Sequence, residues 1–214
     1  IYRQPADKIS VVYPAVESQS ALKKSQVSEE LAKLEVSEPY LLFVGTLQPR
    51  KNLVRLIEVF EQLHRAGFPG QLVIAGKIGW QAEGIVTAME QSEAKSAIKH
   101  LGFVSETEKT ALIQGASMLV LPGLYEGFGI PPLEAIALGT LPVVSNVSSL
   151  PEVVPLDELR FNPESVPDMA QTLQKVWEQS DHQKSAWLKQ LRQSASKFSW
   201  SQSAEHVCHQ LFQM

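Results

Sequence analysis

Glu126 and Glu134 are separated by seven residues, and Gly127-Phe128-Gly129 follows directly on the first acid. Two carboxylates at this spacing can accept hydrogen bonds from hydroxyl groups. Glycines beside them let the backbone take unusual dihedrals and lie close against a ligand with its N–H groups presented. Pro131 and Pro132 suit the first positions of a helix, Ala135 to Leu138 continue it, and Gly139 is placed to end it. On that reading Glu134 lies in the first helical turn, where unpaired N–H groups attract anions. The stretch is preceded by the apolar run Ser117 to Leu121, a buried strand stopped by Pro122-Gly123, so strand, turn, acids and helix start together form the floor of a ligand site. Taken singly, Glu134 is equally a complement to a helix dipole and Glu126 an exposed loop acid.

A second group of chemical residues lies in Gly45-Thr46-Leu47-Gln48-Pro49-Arg50-Lys51-Asn52. Arg50 offers a planar fork for two phosphate oxygens and Lys51 a compact charge, and both stand beside a predicted helix N-terminus. Such a pair can stabilise the charge that grows on a departing nucleotide diphosphate. Cations in a loop are otherwise simply solvated. The chain has neither a G-x-G-x-x-G after its first strand nor a G-x-x-x-x-G-K-[ST] loop, which weakens readings as a dinucleotide oxidoreductase or a phosphate-loop nucleotidase. His206, Cys208 and His209 lie close in sequence but do not fit a structural zinc spacing, and no metal site is expected.

The elements that must hold these residues alternate between strand and helix. Tyr40 to Gly45 reads as a buried strand, and the following helix places Leu53, Leu56, Ile57, Phe60 and Leu63 on one face, with Asn52 as its cap and Gly67 as its close. Further strands are predicted at 71–76, 98–104, 117–121, 141–145 and 159–161, and a short one at Ile9 to Tyr13. Helices are predicted at 81–92, after the Ser105/Glu108 capping box, and beyond Pro167. Strands alternating with helices imply right-handed crossovers and a parallel sheet, whose ligands bind beyond the carboxyl ends of the strands. The loop 45–52 and the stretch 124–134 both follow strands, so one cleft can hold both.

Bulk properties narrow the function classes. At 214 residues, with 44% hydrophobic and 20% charged residues, the chain is an ordinary globular one with room for one sizeable α/β domain or at most two small ones, and a single domain with trailing helices is favoured. A formal charge of −4 and the lack of a basic tract argue against nucleic-acid binding. The single cysteine, Cys208, makes no internal disulfide, which agrees with a reducing compartment. No apolar run approaches the ~18–20 residues of a membrane span, so any membrane contact is expected to be peripheral.

The stretch Glu126-Gly127-Phe128-Gly129-Ile130-Pro131-Pro132-Leu133-Glu134-Ala135 resembles the donor-binding motif of the retaining family 4 (group 1, mannosyltransferase-like) glycosyltransferases, which have the two-domain GT-B fold. Val12-Tyr13-Pro14-Ala15-Val16 is similar to the crossover into the donor domain of these enzymes. The resemblance covers about residues 8–205. It implies an α/β, Rossmann-like domain with a parallel β-sheet flanked by helices, one half of a GT-B fold, followed by C-terminal helices. The implied division is 1–38 crossover and linker, 39–198 nucleotide-sugar-binding domain, and 199–214 C-terminal helix.

By the same resemblance Glu134 holds ribose hydroxyls, Gly127, Phe128, Gly129 and Ile130 present backbone N–H groups to sugar and phosphate, and Glu126 faces the sugar without having to be a nucleophile. Lys51 and Arg50, with the backbone at Gly45 and Thr46, take the diphosphate, and Phe103 and Val104 belong to a base-facing loop. Many members carry Arg where this chain has Thr46, which shifts weight onto Lys51. The side chain of Phe128 is expected to be structural. The implied activity is hexosyl transfer from a UDP- or GDP-sugar to a glycan or lipid-linked acceptor in polysaccharide biosynthesis, with no cofactor and no metal. The implied location is the cytoplasm or the inner face of the membrane, with the acceptor held by an N-terminal domain. The chain alone is expected to bind a sugar nucleotide and transfer no sugar. A sugar-nucleotide epimerase or phosphorylase of the same fold, and a non-catalytic nucleotide-binding module, remain alternatives.

Overall fold

A computed structural model describes residues 5, 8–16 and 20–212. Six strands, β1 (Tyr40–Val44), β2 (Gln71–Ala75), β3 (Ile98–Gly102), β4 (Met118–Leu121), β5 (Pro142–Ser145) and β6 (Arg160–Phe161), form one parallel sheet in the order β3-β2-β1-β4-β5-β6. The chain builds outward from β1 to β3, crosses back, and builds outward again from β4 to β6. The reversal falls between β1 and β4, and in such sheets that crevice is where ligands bind.

The helices follow from amphipathic runs. They are α1 (Lys24–Lys33), α2 (Leu53–Arg65), α3 (Glu83–Gln91), α4 (Glu106–Gly115), α5 (Ile130–Leu138), α6 (Leu150–Val153), α7 (Val166–Glu178), α8 (Asp181–Ala195) and α9 (Trp200–Phe212). Helix α2 packs with α3 and α7, whereas α4 packs with α1 and α5, and α5 with α8, which is the two-sided wrapping that right-handed crossovers in opposite directions produce. Apolar side chains from β1, β2, β4 and β5 are almost wholly out of water, so these strands carry continuous apolar runs without alternation. The phenol of the buried Tyr40 donates to Leu112 O at 2.6 Å and ties β1 to α4. Burial, helped by the nearby Glu38 charge, pushes that phenol far above its usual range.

Several local expectations change. Ile9 to Tyr13 forms no strand: the backbone acceptor at Tyr13 is taken by Ser203 Oγ of α9 at 2.6 Å, so the segment lies along a helix and not on the sheet. Helix α1 is not among the helices expected from the sequence, since just Val27 and Leu31 are buried on it. The Ser105/Glu108 capping box forms as predicted, with Glu108 N donating to Ser105 Oγ at 3.3 Å and Ser105 N to Glu108 Oε2 at 2.6 Å. Asn52 does precede α2, but it is left-handed (φ 59, ψ 29) and its side chain caps nothing on that helix. Asparagine tolerates that region, and its amide instead donates to Pro122 O at 3.0 Å and Pro163 O at 2.8 Å, stapling the loop after β1 to the ends of β4 and β6. No helix among the described residues is long and apolar enough to cross a membrane.

The carboxyl edge of the sheet is packed backbone to backbone. Gly76 N donates to Gly102 O at 2.7 Å, and a Cβ added at Gly76 (φ +157) would sit 1.9 Å from Gly45 O. Gly76→Ala must therefore part the loops after β1 and β2. It is expected to cost about 3 kcal/mol of stability, read as a lowered midpoint in urea unfolding, whereas Gly84→Ala, with nothing within 4 Å of its added Cβ, should be neutral or stabilising.

Candidate functional site

The loop after β1 and the loop after β4 meet across the β1/β4 reversal. Leu124 N donates to Arg50 O at 2.8 Å, which sets their spacing. Residues Pro49–Lys51 form a short 3-10 turn, and that turn aims Lys51 at the acid across the crevice. Lys51 Nζ lies 2.7 Å from Glu126 Oε1 and 2.9 Å from Oε2. Arg50 donates to Glu126 Oε2 at 3.3 Å and to Tyr125 O at 3.0 Å. The side chains of Lys51 and Glu126 are only 12% and 7% exposed, but that of Arg50 is 48% exposed. Two cations and one carboxylate leave this group with one net positive charge, partly withdrawn from water, which favours an anionic ligand.

Glu126 is fixed through its backbone as well. Its N–H donates to Ser148 Oγ at 2.9 Å, and Ser149 Oγ donates to Glu126 O and Phe128 O, both at 2.9 Å. Ser148 is itself left-handed (φ 52), a strained conformation at the start of α6 that serves this clamp. Both carboxylate oxygens of Glu126 are engaged by cations.

Helix α5 starts at Ile130, one residue before the expected start, and this moves Glu134 out of the first turn into the second. Its carboxylate is consequently poorly placed to complement the helix dipole. The prolines matter in another way: Pro131 and Pro132 have no N–H, and Leu133 N is bonded to Gly129 O, so the usual fan of free amides is largely removed. What remains are the N–H groups of Gly127, Phe128, Gly129 and Ile130, for which the described residues provide no acceptor. Of the two glycines only Gly129 takes a left-handed backbone (φ +119). Gly127 stays outside that region, and a Cβ there would meet nothing within 4 Å, so its lack of a side chain leaves open space in front of the amides.

Glu134 is 8% exposed at its side chain and is held by Lys109 at 2.8 Å, which also bonds Glu106 at 2.8 Å. Burial alone would lower the Lys109 ammonium pKa, but the hydrogen bonds it donates to Glu106 and Glu134 outweigh that and hold the ammonium above its ordinary range. Lys109 was not singled out in the sequence. A basic residue four positions into a helix after a capping box is ordinary, and only the packing of α4 on α5 brings it to Glu134.

The remaining predicted residues divide. Gly45 and Thr46 stand at the carboxyl end of β1, with Thr46 exposed. Phe103 is 73% exposed beyond β3, its ring under Lys77 Nζ at 4.7 Å, and Val104 is half-buried. The ring of Phe128 packs on Tyr13 and Phe198, in keeping with a structural side chain on a presented backbone. His206 bonds Ser10, Cys208 is exposed, and among the described residues no three metal-ligating side chains cluster. A separate cavity of about 160 Å³ lies between α2 and α7, lined by Phe68, Leu173 and Trp177. It is away from both acids and carries none of the chemistry.

Known proteins resemble this chain in sequence and in fold. The family model for "Glycosyl transferases group 1" matches residues 27–193. O-antigen chain mannosyltransferase B of Escherichia coli is 31% identical over 205 residues, 94% of this chain and 53% of that protein. O-antigen chain mannosyltransferase RfbU of Salmonella typhimurium is 30% identical over 166 residues, 76% of this chain and 42% of that one. The crystal structure of a glycosyltransferase from Rickettsia africae ESF-5 superimposes with a TM-score of 0.88 at 16% identity, covering 97% of this chain and 57% of that one. The chain thus spans about half the length of the relatives it matches.

The ion pair across the crevice is open to direct test by a double-mutant cycle. Lys51→Met, which leaves a buried carboxylate with only the half-exposed Arg50, is expected to cost about 2–4 kcal/mol. Adding Glu126→Gln should recover part of that loss, giving a coupling energy of about 1–3 kcal/mol. Urea denaturation of the four proteins measures it, and strict additivity would show that the two groups do not interact.

Proposed function

The chain belongs to the group 1 glycosyl transferases, and from that premise we propose that it supplies the donor-binding half of an enzyme that transfers a hexose, with retention, from a UDP- or GDP-sugar to a glycan or lipid-linked acceptor. The observation that carries this reading is the joining of Lys51, Arg50 and Glu126 across the β1/β4 reversal, beside four amides without internal acceptors. A nucleoside diphosphate matches these features part by part. Its phosphates meet the surplus positive charge and the Gly127–Ile130 amides, its ribose hydroxyls donate to Glu134, and its base lies toward Phe103 and Val104. Gly45 and Thr46 close the phosphate end.

Lys51 and Arg50 act on the leaving group. As the glycosidic C–O bond breaks, negative charge grows on the diphosphate, and cations already held in place stabilise it without reorganising. Glu126 keeps those cations in register. With both of its oxygens engaged it is a poor nucleophile, which favours displacement on one face of the anomeric carbon over a covalent glycosyl intermediate. The reading needs no metal or cofactor held by this domain. The acceptor is assigned to an N-terminal domain such as the longer relatives have room for, and the working place to the cytoplasm or the inner membrane surface. On the chain alone the leaving diphosphate stays wet, so binding without acceptor-dependent transfer is expected.

Titration calorimetry with UDP, GDP and ADP tests the assignment. Glu134→Ala is expected to weaken the bound nucleotide roughly ten- to hundredfold, the equivalent of a charge-assisted bond to ribose. A 2′,3′-dideoxy nucleotide should show the same loss on the parent protein, and undiminished binding would remove Glu134 from that role. Gly127→Ala gives a complementary result: stability within about 0.5 kcal/mol of the parent but weaker diphosphate binding, because the new methyl fills the approach to the amides. Unchanged affinity would mean that the ligand lies elsewhere.

A further inference from the structure

The glycine turn has no strand or helix partner of its own, yet it must hold four amides in a fixed direction. Two contacts hold it. Beneath, Ser148 and Ser149, just before α6, supply a clamp, and Leu150 and Val153 of α6 close the space under Gly129, where an added Cβ would lie 3.0 Å from Leu150 Cδ2 and 3.6 Å from Val153 Cγ2. Above, the ring of Phe128 stands between two aromatic rings from distant parts of the chain. Tyr13 lies at 5.9 Å between centroids, and Phe198, at the corner between α8 and α9, at 5.1 Å and nearly perpendicular. Tyr13 and Phe198 also meet edge to face at 5.3 Å, closing a three-ring cluster. Such pairs add to simple burial and fix ring orientation.

Tyr13 is the member that ties both contacts together. Its phenol donates to Glu152 Oε2 of α6 at 2.9 Å, while its backbone carbonyl accepts from Ser203 Oγ of α9 at 2.6 Å. The Glu152 carboxylate raises the phenol above its ordinary range, as a donor to a charged group requires. Among the described residues no hydrogen bond or ring contact joins Tyr13 or Phe198 to the crevice acids or cations.

We propose that Tyr13 is a positioning residue for the donor site: packed with Phe198 against Phe128, its ring fixes the backbone of the glycine turn in the arrangement that receives the diphosphate. This inference rests on the donor-site reading above. The ring carries the effect, since the Tyr13–Glu152 bond is exposed to water and adds little. A side chain bonded to none of the crevice acids or cations thereby sets the affinity, through its hold on the glycine turn and its ties to α6 and α9.

Three variants and two readouts test it. Tyr13→Phe keeps the ring and should bind UDP, GDP or ADP within about twofold of the parent, whereas Tyr13→Ala and Phe198→Ala should bind roughly tenfold more weakly. The free nucleoside should lose less, since only phosphates meet the turn. Hydrogen exchange without any ligand gives the second readout, at the amides of Leu124 and Glu126, which are bonded to Arg50 O and Ser148 Oγ. Exchange at Glu126 should quicken in Tyr13→Ala, stay unchanged in Tyr13→Phe, and leave the amides of β1 and β4 unaffected. Tyr13→Ala with parental affinity, or with parental exchange at Glu126, overturns the proposal. So does an equal loss for nucleoside and nucleoside diphosphate, which marks general loosening of the fold. If the parent binds none of the three nucleotides, the donor-site reading fails, and the exchange result then decides alone whether Tyr13 holds the turn.

Discussion

A carboxylate that is only 7% exposed is tolerable when its charge is met on the spot, and Glu126 is met by Lys51 and Arg50 from the other side of the crevice. Much of the site's architecture serves that meeting. The strand order brings β1 and β4 side by side with their loops free to face one another. Asn52 staples the first loop to the end of β4, Leu124 N bonds Arg50 O, and the serines before α6 hold Glu126 by its N–H and its carbonyl. Placed without its cations, Glu126 would repel any anion; placed with them, it holds two flexible basic side chains in fixed positions.

The start of α5 shows a related economy. A helix N-terminus ordinarily presents several unpaired amides, but Pro131 and Pro132 remove two and Leu133 is bonded back to Gly129. The amides left over belong to the turn itself, where Gly129 supplies the left-handed backbone and Gly127 the clearance. The amides without an internal acceptor thereby lie in the turn before the helix and not along its axis. Lys109 performs the matching task for Glu134, pairing a second buried carboxylate while α4 and α5 pack together.

Much of this was legible in the sequence, for a physical reason. Strands buried on both faces leave unbroken apolar runs, as in Tyr40–Val44 and Met118–Leu121, and the acids, glycines and prolines of 126–134 each restrict backbone or charge in a way that residue type alone reveals. Contacts between distant segments leave no such mark. The pairing of Lys109 with Glu134 depends on how two helices pack, and the side chain of Asn52, a good cap by type, is drawn away by carbonyls from two other strands' loops. Helix α1 escaped notice with only Val27 and Leu31 buried, and Ile9 to Tyr13 has the composition of a strand while a helix serine takes its hydrogen bond. The residues of the site were readable one by one; the partners that hold them were not.

The most direct test of the donor site proposed at Lys51, Arg50 and the glycine turn is an amide shift map of the folded chain during titration with a nucleoside diphosphate. The largest shifts are expected at Lys51 and at Gly127, Phe128, Gly129 and Ile130, with smaller ones at Phe103 and in α5 near Glu134. Shifts gathered instead around Phe68 and Trp177, or none at saturating nucleotide, would contradict the assignment of the β1/β4 crevice as the donor site.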